Sequence, residues 1–146
     1  MPEVEEHLSQ AAHNLRVAKE LEEIAFDWAV TAYFYVAAHV VRAYLSKQGI
    51  HSFGSHKSVS SYLEKLAANG DLDEKIKNDY LTLLNKSVRA RYNCLPVDEF
   101  KEDLLEAKDL IRRILAYFAI KVPELSKTQE LQQYLNPSDP HGPSPG

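Results

Sequence analysis

An all-α fold, an up-and-down antiparallel bundle of four to five helices, is what this sequence predicts, and three observations carry the prediction. Sustained period-two alternation is nearly absent. Apolar residues recur instead at three- and four-residue steps in four or five separate blocks. One block, within the stretch Phe26 to Leu63, is apolar and aromatic around most of its circumference, yet lacks the unbroken apolar run of a membrane span. Such a helix belongs at the centre of a bundle.

The first block runs from Val4 to Glu23, with Leu8, Ala11, Ala12, Leu15, Ala18 and Leu21 in helical register. Glu3, Glu5 and Glu6 at its start suit the positive end of a helix dipole. The second, Ile24 to Lys47, stops at Gly49. It carries a polar line, Thr31, Tyr35, His39, Arg42 and Ser46, which at about 100° per residue falls within roughly 80° of arc. That line marks either a shared, partly wet cleft or a solvent-facing stripe. After the loop GIHSFGS, Ser55 caps a third helix through Ala68, with Val59, Tyr62, Leu63 and Leu66 inward. Asn69-Gly70 breaks the chain.

A fourth helix starts near Asp71 or Asp73 and reaches Tyr92, with Ile76, Tyr80, Leu83, Leu84 and Val88 spaced helically. Pro96 forbids its continuation. Asp98 is the expected cap of a fifth helix, whose stripe is Phe100, Leu104, Ala107, Leu110, Ile111, Ile114, Leu115 and Phe118. Pro123 closes that helix. The expected domain boundaries are therefore a bundle over 1–122 and a second part, 123–146, holding a short helix near Thr128–Leu135 and a disordered Pro-rich tail.

Charged residues at 26% and apolar residues at 45% are ordinary for a globular protein. A net charge of -4 disfavours broad, charge-driven nucleic-acid binding but leaves room for a local basic patch. Cys94 is the single cysteine, which excludes an intrachain disulfide and suits a reducing compartment. The acidic N-terminus has no apolar signal core, so the expected location is the cytoplasm, with no membrane. The six histidines form no HxxxH or HxxE-type cluster and one cysteine builds no zinc site, so no metal is expected. The five glycines form no phosphate-cradling loop, and no cofactor is expected. Trp28, Tyr33, Tyr35 and Tyr44 are expected in the core, and Cys94 is expected partly buried.

The order of features resembles a known family. The segments NLRVAKELEE, DWAVTAYFYVAAHVVRAYLSKQGI, SHKSVSSYL and RARYNCLPVDEFKEDLLEAKDLIRRI are similar to the HEPN domain, the higher-eukaryote and prokaryote nucleotide-binding family, in its small stand-alone prokaryotic branch. The matching positions are Tyr33, Tyr35, Ala37, His39, Arg42-Ala43, Leu45, Gly49, His56-Lys57, Val59, and Arg89 with Tyr92, within residues 5–120. The resemblance implies a helical bundle that commonly dimerises and is often encoded beside a minimal nucleotidyltransferase. It also implies a role in a toxin–antitoxin, stress or defence system. Ribonucleases of this family carry an Arg followed four to six residues later by His. Here no histidine lies between His56 and His141, so that motif is absent.

The candidate nucleotide- or RNA-binding residues are Arg89, Arg91, Tyr92, His56, Lys57 and Arg42. Arginine offers a fixed fork of donors to phosphate, tyrosine stacks on bases, and His56-Lys57 opens a helix where backbone N–H groups favour anions. Each has a plainer reading: Arg89 or Arg91 pairing with a helix carboxylate, Tyr92 packing at a helix end, His56 anchoring a loop. His39, one turn from Tyr35 and three residues before Arg42, reads first as a structural hydrogen-bonding group and second as a proton shuttle. Two rival functions stand beside the nucleotide-associated module. One is a metal-independent ribonuclease using Arg89 or Arg91 with Tyr92, and His39 or His56, in a non-standard site. The other is a non-catalytic scaffold for a partner protein.

Overall fold

The computed structural model describes residues 3–51 and 54–136. Its described residues form six α-helices and no strand: α1 (Val4–Leu21), α2 (Phe26–Lys47), α3 (His56–Ala68), α4 (Glu74–Tyr92), α5 (Lys101–Lys121) and α6 (Gln129–Leu135). The loop residues Ser52 and Phe53 and the Pro-rich tail, 137–146, lie outside the described residues.

The helix ends are written locally. Glu6 Oε1 accepts from the Glu3 N–H at 2.6 Å, tying off the start of α1. Ser55 Oγ accepts from the Ser58 N–H at 3.1 Å, and Asp73 Oδ1 from the Lys75 N–H at 2.8 Å. Gly49 and Gly70 end α2 and α3 in the left-handed region, at φ +84° and +82°. There Ile50 donates to Leu45 and Asp71 to Leu66, each at 2.8 Å, which satisfies the last carbonyls. α4 too is followed by a left-handed residue, and a costlier one, since Cys94 adopts φ 54°.

Burial explains the layering. α2 buries 14 of its 22 residues and packs against α1, α4 and α5, so it is the central helix. α1 runs antiparallel to it, with Glu22 accepting from the Tyr33 hydroxyl at one end and His7 meeting His39 at the other. α4 and α5 pair antiparallel through Arg113–Asp79 and Arg89–Asp103. All eight residues of the expected α5 stripe are buried. α6 folds back on α1, with Leu131 fully buried and Arg16 bound to Glu130 at 2.6 Å.

Four expectations need correction. Val88 is 41% exposed, because the inward line of α4 is Ile76, Asp79, Tyr80, Leu83, Ser87 and Ala90, polar positions included. Trp28 is 56% exposed, since Ala29, Val30, Tyr33 and Phe34 take the inward face of α2's start. Cys94 is exposed, as its left-handed turn lifts it off the helix end. Asp98 caps nothing; it lies in a 3-10 turn, Val97–Phe100, that seats Phe100 in the core before α5 begins.

Candidate functional site

The polar line of α2 divides into ordinary ends and an unusual middle. Thr31 donates its hydroxyl to the Asp27 carbonyl at 3.1 Å, and Ser46 Oγ pairs with His51 Nδ1 at 3.1 Å. Tyr35, His39 and Arg42 between them are half-buried, and three other helices bring polar groups to them.

α1 supplies His7, whose Nδ1 lies 3.1 Å from His39 Nδ1, so one imidazole donates to the other. α3 supplies His56, whose ring lies 5.0 Å from Phe34 and 5.5 Å from Tyr35. α4 supplies Arg91. Its guanidinium carbon stands 5.9 Å from the centre of the Tyr35 ring and 5.3 Å from that of Tyr92. Its Nε donates to the Ser87 carbonyl and its Nη2 to Ser87 Oγ, each at 3.2 Å, which holds the side chain against its own helix.

Electrostatics keep the imidazoles neutral. Burial pushes His39 down to about 4, helped by His7, Arg42 and His56. Burial also lowers His56, followed by the charges of Arg42 and Arg91. His7 is lowered by burial and then by Arg42, against a raising influence from Glu6. Arg42 bears on all three histidines and is the electrostatic centre of the cluster. Neutral imidazoles and hydroxyls around two guanidinium groups form a surface receptive to anions.

The sequence-derived candidates separate accordingly. Arg42, His56 and Arg91 converge, and His39 joins them. Tyr92 is 67% exposed and flanks the cluster, and Lys57 is exposed on the first turn of α3. Arg89 faces elsewhere: its Nε binds Asp103 Oδ2 at 2.9 Å and its guanidinium lies 5.3 Å from the Phe100 ring centre. Lys86 binds the same Asp103 at 3.4 Å and also Glu106. Two residues of separation turn a side chain by roughly 200° on a helix, so Arg89 serves the α4–α5 contact while Arg91 serves the cluster. His7, Ser60 and Ser87 were missed by sequence reasoning. A signal existed for His7, which stands four residues before Ala11 on the inward face of α1.

Among the described residues no three His, Cys, Asp or Glu side chains group to hold a metal, and no helix is long and apolar enough to cross a membrane. A separate groove of about 510 Å³ runs between α1 and the C-terminal segment, lined by Glu5, Arg16, Glu124, Lys127 and Glu130 among others. Its charges are largely committed, Arg16 to Glu130 and Glu124 to Lys47. The family model described as HEPN domain matches residues 4–122. No curated protein matches the chain.

Proposed function

The chain belongs to the HEPN family, and on that premise we propose that it is a nucleotide- or RNA-associated helical module whose contact surface is Arg42, His56, Lys57, Arg91 and Tyr92. The observation that carries this reading is the convergence of Arg42 and Arg91, from different helices, on His56, whose ring and the Arg91 guanidinium both lie against Tyr35. Phosphate would meet the guanidinium groups and the start of α3, while Tyr92, already flanked by Arg91, offers a ring for a base. Arg89 holds the bundle together and does not belong to this surface. In the proposed setting the protein acts as a homodimer beside a minimal nucleotidyltransferase, in a toxin–antitoxin, stress or defence system. What supports that setting is the resemblance to the small stand-alone prokaryotic branch of the family.

The test is single-stranded RNA binding by fluorescence anisotropy over a salt series. Arg91→Ala should weaken binding about tenfold and flatten the salt dependence by about one counterion. Arg89→Ala should change binding less than twofold. Equal effects of the two would reject this surface. The position of His56 beside Arg91 favours a second reading, metal-independent cleavage without the family's Arg-x4-6-His motif. Cleavage of the same RNA in EDTA, abolished by Arg91→Ala and by His56→Gln, would establish it.

A further inference from the structure

Among the described residues, three buried polar atoms have no hydrogen-bond partner: His56 Nδ1, Ser60 Oγ and the Tyr80 hydroxyl. Interiors rarely leave such groups unpaired, and each instance calls for an explanation. These three are not scattered. His56 and Ser60 lie one turn apart on the same face of α3. Tyr80, on α4, is only 1% exposed. The Phe34 ring centre lies 5.0 Å from that of His56 and 5.6 Å from that of Tyr80, so the rings bearing two of the orphaned atoms pack on one aromatic side chain. The charge of Arg42 bears on His56 and Tyr80 together, and that of Arg91 on His56. The Ser55-capped N-terminus of α3 opens at the same place.

The inventory of groups defines the ligand. Both hydroxyls can donate, a neutral imidazole can present N–H at Nδ1, and the guanidinium groups donate without accepting. A helix start adds backbone donors and a positive dipole. A nucleobase edge alternates donors and acceptors and would leave its own donors facing arginine. An oxyanion with several acceptor oxygens satisfies the whole set. Burial then discriminates among phosphates. An internal phosphodiester carries a sugar on each side, and both would have to be housed beside buried groups. A terminal phosphate enters as an end.

We propose that the junction of α2, α3 and α4 is a pocket for a terminal phosphomonoester, on a nucleotide or at the end of an RNA, seated by His56, Ser60 and Tyr80 with Arg42 and Arg91. The proposal rests on the nucleotide- or RNA-associated reading and narrows it to one chemical group. The three sources of that group are a free nucleotide, a 5′ end and a 3′ end.

The experiment measures binding of the full chain to one oligoribonucleotide sequence made with a 5′-phosphate, a 3′-phosphate or hydroxyl ends, at fixed salt. Inorganic phosphate and a nucleoside monophosphate serve as competitors. One phosphorylated probe, or the monophosphate, should bind about tenfold tighter than hydroxyl-ended RNA, as charge-assisted bonds to one extra group imply, and which of them does so identifies the source. In Tyr80→Phe with Ser60→Ala that ratio should fall to about one. The melting temperature of the double variant should not drop, because the hydroxyls removed have no protein partner. Equal affinity of the wild type for every end would overturn the proposal and leave the RNA reading intact. Retention of the preference in the double variant would overturn it as well, as would a large fall in melting temperature. Failure to bind any RNA or nucleotide would sink both readings.

Discussion

His39 makes the cost of the buried imidazole cluster measurable. It is half-buried against His7 and within the field of Arg42, and it takes up a proton near pH 4 in the folded chain against an ordinary 6.5. Between those values the unfolded chain binds more protons than the folded one, so stability is complete above about pH 6.5 and falls as the pH drops towards 4. A separation of 2.5 pH units at about 1.36 kcal/mol each comes to about 3.4 kcal/mol. His39 remains partly open to solvent, and screening there reduces the expected loss to about 2 kcal/mol. The perturbation is His39→Gln, which keeps a hydrogen-bonding partner for His7 but cannot titrate. Urea denaturation of both proteins from about pH 7.5 to about pH 4 isolates the contribution of this one residue. The wild type should lose about 2 kcal/mol more than the variant over that range. Parallel profiles would refute the claim that the fold holds His39 neutral.

Two further substitutions test the frame around the cluster. Cys94→Gly should raise the unfolding free energy by about 0.5–1 kcal/mol, since glycine adopts φ 54° without the left-handed penalty; a lower denaturation midpoint would show that the Cys94 side chain contributes more than its backbone costs. Arg113→Ala should cost about 2–3 kcal/mol in the same assay, because it strips Nε and Nη2, at 3.0 and 3.2 Å, from the buried Asp79 carboxylate; a loss below about 0.5 kcal/mol would mean that solvent replaces the arginine.

Much of the fold was legible because the signals were local. Periodicity named all seven buried residues of α5 and Phe100 in the turn before it, and Ser55, Gly49 and Gly70 marked helix ends through chemistry confined to a few residues. Errors arose where a polar residue faces inward. Counting apolar positions alone placed Val88 in the core, whereas Asp79 and Ser87 occupy α4's inner line because Arg113 and Arg91 bind them. The site was legible in part for the same reason. Tyr35, His39 and Arg42 share one helix, so their spacing gathered them. Their partners come from α1, α3 and α4, and no local pattern reports that His7 reaches across 32 residues to His39. The run Arg89, Arg91, Tyr92 looked like one cluster along the chain, yet the helix sends the two arginines to opposite tasks.

α3 is attached unlike its neighbours. Its fully buried side chains are Val59 and Leu63, and its helix-to-helix packing is chiefly against α4. Stability in a folded domain is not uniform, and a segment with few buried apolar contacts detaches at a fraction of the global unfolding free energy. α3 is therefore expected to open at a lower free energy than the frame of α1, α2, α4 and α5. Such an opening would uncover the His56 and Ser60 side of the interior. A phosphate seated beneath α3, as proposed above, would then leave at a rate set by the opening of that one helix.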